Sequence, residues 1–95
     1  LTREQTRQIT DLMLSNLNAR LAEKQIHVEV SAKVKDKLAA DGYSELYGAR
    51  PLRRLIEDQI ENPLSIKIIN GELKMGVDIF VDLSATKEYI FSEKK

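Results

Sequence analysis

Two stretches of strict alternation between apolar and polar residues, set in a chain otherwise patterned in threes and fours, constrain this sequence more than any other feature. Ile26, Val28 and Val30 alternate with His27 and Glu29, and Val77, Ile79, Val81 and Leu83 alternate again near the C-terminus. Period two marks a half-buried strand, so a sheet must be built from segments far apart in the chain. Ser84 to Lys87 then reads as a turn and Tyr89 to Phe91 as a last strand, which makes the C-terminal pair a hairpin.

The remaining apolar residues follow helical spacing. Thr2 and Gln5 form a capping box, and Ile9, Leu12, Met13, Leu17 and Leu21 draw one stripe through about residue 24. Ser31 caps a second helix carrying Val34, Leu38 and Ala39, which Asp41-Gly42 stops. After a loop holding Tyr43 and Tyr47, Pro51 opens a third helix with Leu52, Leu55, Ile56 and Ile60 on one face. Asn62-Pro63 repeats the cap-then-proline signal and starts a short fourth helix ending near Gly71, and Gly76 turns the chain. The expected fold is α/β in the α+β sense: a small three-stranded sheet packed with about four helices, in the order α-β-α-α-α-β-β. With 95 residues and no internal repeat, residues 1–95 form a single domain.

Composition narrows the function classes. Fifteen Lys+Arg balance fifteen Asp+Glu, which argues against a nucleic-acid or membrane-surface binder, since those carry excess positive charge. The absence of cysteine excludes disulfides and thiolate metal sites. No apolar run reaches bilayer length, Leu1-Thr2-Arg3-Glu4 is no signal peptide, and there is no initiator Met, so the chain reads as a piece of something longer.

Catalytic patterns find little support. The phosphate-cradling GxxxxGK[ST] loop and GxGxxG are absent. The only histidine, His27, falls on the polar side of a strand and is expected to be exposed there rather than to bind a metal. Serines 15, 31, 44, 65, 84 and 92 have no histidine partner in a recognisable arrangement. Glu57 and Asp58 follow Arg53 and Arg54 by about one helical turn and Glu61 by about two, the spacing of ordinary surface ion pairs on one helix face. The fragment is expected to be no enzyme by itself.

One constellation carries more information: Gly42-Tyr43-Ser44-Glu45-Leu46-Tyr47-Gly48-Ala49-Arg50-Pro51-Leu52-Arg53-Arg54. Arg50 precedes a proline, which disfavours helical backbone at Arg50 and places it, extended, at the N-cap of a helix beginning at Pro51. Free N–H groups and the positive helix end lie there. A guanidinium beside them suits a phosphate, whose oxygens its planar fork binds in pairs. Gly48 and Ala49 are small enough to let a ligand or another domain approach. The plainer alternative is that Arg50 bonds carbonyls of its own chain while Arg53 and Arg54 are solvated.

This run, followed by Ile56-Glu57 and Asn62-Pro63-Leu64-Ser65, resembles the sensor 2 region of Clp/heat-shock ATPases, in particular the small C-terminal lid after the second AAA+ module of ClpB, ClpC and their relatives. The opening helix (Leu1, Thr2, Ile9, Asp11 to Leu14) and the hairpin after Lys74-Met75-Gly76 extend the likeness over nearly the whole chain. Gly76-Val77-Asp78 departs by one residue from the Gly-Asp usual there, and after Ser84 no likeness is evident.

The resemblance implies that Arg50 reaches the γ-phosphate of ATP held by a P-loop in an absent large domain. It implies further that Gly48 and Ala49 flank the nucleotide and that Ile9 on the first helix offers an apolar wall to the adenine. Arg53 and Arg54 would serve the lid surface. ATP and ADP would be the cofactors, with magnesium held by the large domain. Partners would be that large domain, the neighbouring subunit of a homohexamer, unfolded protein substrates, and a ClpP-type protease through the parent, with no nucleic acid and no membrane. The compartment would be cytoplasmic, or the mitochondrial matrix or plastid stroma for an organellar parent. Removed from its neighbours, the domain is expected to expose an apolar patch. Two other readings stand beside this one: a protein-interaction module with no nucleotide role, and a nucleic-acid module using Arg50, Arg53 and Arg54.

Overall fold

A computed structural model describes residues 2–94. Helix α1 (Arg3–Leu21) begins at the expected capping box: the Gln5 N–H donates to Thr2 Oγ1 at 3.0 Å, and the Thr2 N–H donates to Gln5 Oε1 at 2.9 Å. Its buried face differs from the expected stripe. Leu12 is 62% exposed, and the face that enters the core is Thr6, Thr10, Leu14, Leu17 and Leu21. Both threonines are accommodated because their hydroxyls donate to carbonyls four residues back, Thr6 to Thr2 at 3.1 Å and Thr10 to Thr6 at 2.9 Å. A buried hydroxyl satisfied within its own helix carries no desolvation penalty of an orphaned group.

A 3₁₀ turn (Ala22–Lys24) leads into β1 (His27–Val30), where His27 is exposed and Val28 buried. Helix α2 (Ala32–Asp41) is capped by Ser31, whose Oγ accepts from the Val34 N–H at 3.2 Å, and it ends at Gly42 as expected. Helix α3 (Arg50–Ile56), a π turn (Glu57–Glu61) and helix α4 (Asn62–Ile69) follow without a break in helical backbone. The segment order α-β-α-α-α-β-β is observed, but the last two helices form one rod. Asn62 is not a cap: its backbone is helical, φ −66° and ψ −47°, and its N–H donates to the Glu57 carbonyl. The π turn lies where the Pro63 ring would crowd the carbonyl four residues before it. Widening the ladder there lets proline remain inside a helix that it would otherwise break.

The rod buries Leu52, Ile56, Ile60 and Leu64, three of them completely, against Leu17, Leu38, Ile79 and Val81. Gly76, in left-handed backbone at φ +81°, turns the chain into β2 (Asp78–Leu83), and β3 (Tyr89–Glu93) returns antiparallel as the expected hairpin. The sheet order is β1-β2-β3, with β1 and β2 parallel and Val28 opposite Ile79. Ion pairs Lys35–Asp11 and Arg7–Asp36 join α1 to α2, and Arg20–Glu61 joins α1 to the π turn.

Candidate functional site

The loop from Gly42 to Ala49 is built to deliver α3 in one position. A Cβ at Gly42 would lie 2.7 Å from Leu52 Cδ1 and 2.9 Å from both Leu52 Cα and the Leu38 carbonyl oxygen. Only glycine lets the first turn of α3 sit directly on the end of α2. Further along, Ser44 and Gly48 exchange two backbone hydrogen bonds of 2.7 Å each. Ser44 Oγ accepts from the Leu46 N–H at 3.1 Å and the Tyr47 N–H at 3.2 Å. Gly48 stands at φ +64°, so its glycine answers a backbone requirement as well as one of size.

This closure shifts the start of the helix. Arg50 was expected to be an extended N-cap; instead Ala49 occupies the cap (φ −93°, ψ 10°) and Arg50 is the first helical residue. The Arg50 N–H donates to the Tyr47 carbonyl at 3.3 Å and the Leu52 N–H to the Ala49 carbonyl at 3.1 Å. Two turn-type bonds at the loop exit outweigh the bias against helical backbone before proline.

The side chains of the motif divide cleanly. Arg53 pairs with Glu57 at 3.5 Å and Arg54 with Asp58 at 3.8 Å, both one turn apart on the exposed rod surface. Arg7 and Arg20 are paired with Asp36 and Glu61. Among the described residues, Arg3 and Arg50 are the arginines with no carboxylate partner, and Arg50 is exposed. Nor, among the described residues, does the Arg50 guanidinium bond a carbonyl of its own chain, as the plainer sequence alternative would require.

Beside the motif runs an open groove between α1 and the rod. It encloses about 390 Å³ and is lined by Met13, Asn16, Arg20, Arg53, Ile56 and Glu57. Arg20 bonds Glu61, and Leu21 lines a second hollow with Leu64 and Ile68 farther along both elements, so α1 and the rod run in the same direction. Ile9 and Arg50 lie one turn before Met13 and Arg53 on the two elements, and neither is among the residues that line the groove. Ile9 is half-buried and packs against the core, so only part of its side chain is available to anything outside. Gly48 and Ala49 are half-buried beside Arg50.

Tyr43 (38% exposed), Tyr47 (57%) and Leu46 (78%) turn outward around the loop. Two features of this site escaped sequence reasoning. Ser44 closes the loop, and its signal was a serine two and three residues before the amides it binds. Gly42 permits the contact with Leu52, a requirement visible only once α2 and α3 are placed. Among the described residues no cluster of His, Cys, Asp and Glu could hold a metal ion, and no helix is long and apolar enough to cross a membrane.

Comparison with known proteins adds an independent line. Residues 1–81 match the family model described as the C-terminal, D2-small domain of ClpB protein. The chain is 41% identical over all of its 95 residues to the chaperone protein ClpB of Aquifex aeolicus, of which the match covers 9%. It is 43% identical over 82 residues, 86% of the chain, to the ATP-dependent Clp protease ATP-binding subunit ClpC of Staphylococcus aureus, covering 10% of that protein. Over 84 residues, 88% of the chain, it is 36% identical to the ATP-dependent Clp protease ATP-binding subunit ClpA homolog of Porphyra purpurea, again 10% of its length. The chain therefore spans about a tenth of the length of the curated relatives it matches.

Proposed function

The chain belongs to the family of C-terminal D2-small domains of ClpB proteins, and on that premise we propose that it is the nucleotide-reading lid of a larger ATP-driven protein unfoldase. The exposed Arg50, which has no carboxylate partner among the described residues, carries the proposal. Its two arginine neighbours are held by carboxylates on their own helix, whereas Arg50 is left free to meet an anion supplied from outside the chain.

Relatives are described as ATP-binding subunits, so that anion is the terminal phosphate of ATP bound by a separate large domain of the same polypeptide. A guanidinium presents paired donors that match phosphate oxygens. Gly48 and Ala49 keep the approach to Arg50 free of bulky side chains, and the exposed part of Ile9 offers an apolar contact for the base. Magnesium would be held by the large domain, since among the described residues no cluster of His, Cys, Asp and Glu could hold a metal ion. The lid performs no chemistry of its own in this reading.

What the lid contributes is a difference between nucleotide states. With the phosphate present Arg50 gains a charged partner, and after hydrolysis and phosphate release it loses one. A charge-assisted hydrogen bond is worth about 1.5–3 kcal/mol, which biases a two-state hinge about ten- to hundredfold. Only such differential affinity lets a ligand drive motion between domains. In a homohexamer that motion would pass to neighbouring subunits and to the unfolded polypeptide being worked on, with a ClpP-type protease as a further partner of the parent. Residues 1–95 act in this scheme as one domain, in a cytoplasmic parent or its organellar counterpart.

The test is steady-state ATP hydrolysis by the full-length parent carrying Arg50→Ala, with Arg53→Ala as the control. We expect Arg50→Ala to lower hydrolysis about tenfold or more with assembly and melting temperature retained, and Arg53→Ala to change little. Unchanged hydrolysis and unchanged coupling to substrate unfolding in Arg50→Ala would make the motif structural and move an interaction-module reading to the front.

A further inference from the structure

The rod formed by α3, the π turn and α4 is locked into the core at both ends. Leu52, Ile60 and Leu64 are fully buried, and Ile56 between them is 3% exposed. Leu52 sits in the contact that only Gly42 permits, and Arg20 on α1 holds Glu61 at 3.0 Å.

These four apolar positions are each four residues apart. A regular α-helix does not keep that spacing on one face. At 3.6 residues per turn each residue advances about 100°, so every step of four overshoots a full turn by about 40°. Leu64 would then stand about 120° around the helix from Leu52, and one of the two would leave the core. An apolar stripe stays on one face by mixing steps of three with steps of four. Between its two anchors this rod has one residue too many.

The π turn takes up that residue. The Glu57 N–H is shared between the Arg53 and Arg54 carbonyls, and the Asn62 N–H reaches back five residues to the Glu57 carbonyl. One widened turn absorbs a residue without advancing the helix, which brings Leu64 back to about 20° from Leu52. Pro63, with no N–H to donate, falls where the ladder is already widened. The spacing of the apolar residues requires the same turn whether or not proline is there.

Arg50 lies two positions before Leu52, about 160° around α3 from it, so the group that fixes Leu52 in the core fixes Arg50 on the opposite side. Arg50 is exposed, as that angle requires. We propose that the π turn is a phase correction: by absorbing one residue it lets Leu52 and Leu64 enter the core from a single rod, and it thereby sets the direction in which Arg50 points. Its bearing on ATP hydrolysis rests on the lid role proposed above. What matters is the total rotation between the anchors, and the π turn is the means by which a chain of this residue count reaches it.

Changing the residue count tests this, in the chain by melting temperature and in the full-length parent by ATP hydrolysis. Deletion of Gln59, which is exposed, together with Pro63→Ala sets Leu52 and Leu64 eleven positions apart. A regular α-helix then returns them to one face, about 20° apart. We expect this variant to melt near the unmodified chain and to retain hydrolysis that adding Arg50→Ala still lowers. Deletion of both Asp58 and Gln59 in the same background turns one anchor away by about 80°. Its melting temperature should fall by about 10 °C or more, as for loss of a buried leucine. Hydrolysis should fall about tenfold or more, to the level of Arg50→Ala. Shortening alone would give a loss that grows with each residue removed, whereas phase gives little for one and a large loss for two. A one-residue deletion that melts as low as the two-residue deletion overturns the proposal. So does one that keeps its melting temperature but loses the Arg50-dependent hydrolysis. Normal hydrolysis in Arg50→Ala alone would instead remove the lid role, and the melting comparison would still decide the phase.

Discussion

The loop that carries Ser44 and Gly48 and the helical rod that it feeds are held by opposite means. The loop relies on backbone bonds: the paired 2.7 Å bonds between Ser44 and Gly48, two amides on the Ser44 hydroxyl, and one left-handed glycine. Tyr43, Leu46 and Tyr47 all face outward. The rod relies on burial, with Leu52, Ile60 and Leu64 fully removed from solvent. Arg50 stands where the two meet. The rod fixes its Cα through Leu52 two residues on, while the loop side supplies no carboxylate or carbonyl to occupy its guanidinium. The proposed role for Arg50, answering an external anion, needs both conditions, a rigid base and an unpartnered tip.

The comparison is broken most severely from the rod. Leu64→Ala removes a completely buried side chain, and such changes cost about 2–5 kcal/mol, the spread reflecting how far the site collapses. For a chain of this length that corresponds to a fall of about 10–25 °C in melting temperature. Thermal unfolding followed by circular dichroism checks it. A fall of only one or two degrees would mean that the rod is not the anchor described here.

Gly42→Ala attacks the junction and is expected to cost about 1–3 kcal/mol, the range for overpacking a close contact. The contacts it would violate include backbone atoms of Leu38 and Leu52, which cannot swing aside as a flexible side chain does. Relief requires α3 to move off α2, and Arg50 moves with it. Gly42→Ala should therefore combine a moderate loss of stability with a loss of coupled ATP hydrolysis in the parent. Stability lost with hydrolysis intact would show that the position of α3 on α2 is not what places Arg50.

The parts of this arrangement readable from residue order alone were those in which a local pattern decides a local structure. The alternations at Ile26–Val30 and Val77–Leu83, the caps at Thr2 and Ser31, the stop at Asp41-Gly42 and the hairpin turn at Ser84 all became the expected elements. The misses share a cause: each depends on a partner distant in the chain or on chemistry that polarity conceals. Thr6 and Thr10 look like surface residues, yet they line the buried face because their hydroxyls are satisfied within α1. Asn62-Pro63 looks like a new start, yet a π turn absorbs the proline because Ile60 and Leu64 gain more by staying in the core than by ending the rod. The parallel pairing of β1 with β2 and the Asn18 clasp on Val28 have no local signature. At the site, Arg50 stood out by its motif and the pairing of Arg53 and Arg54 by spacing, whereas the one-residue shift of the helix start follows from the closure of the loop.

The smallest expected effect comes from the loop alone. Ser44→Ala deletes the acceptor for the Leu46 and Tyr47 amides, but both are exposed and water replaces the lost partner. The expected cost is therefore at the low end for a hydrogen bond, about 0.5–1 kcal/mol, without the penalty of a buried orphan. The backbone bonds between Ser44 and Gly48 remain, so the loop should loosen without opening. Amide hydrogen exchange separates the two regions: Leu46 and Tyr47 should exchange faster in Ser44→Ala, while Ile56, Ile60 and Leu64 keep their protection. Faster exchange along the rod as well would mean that loop and rod open together. The free tip of Arg50 would then rest on the same cooperative unit as its base, and the division between the two regions would fail.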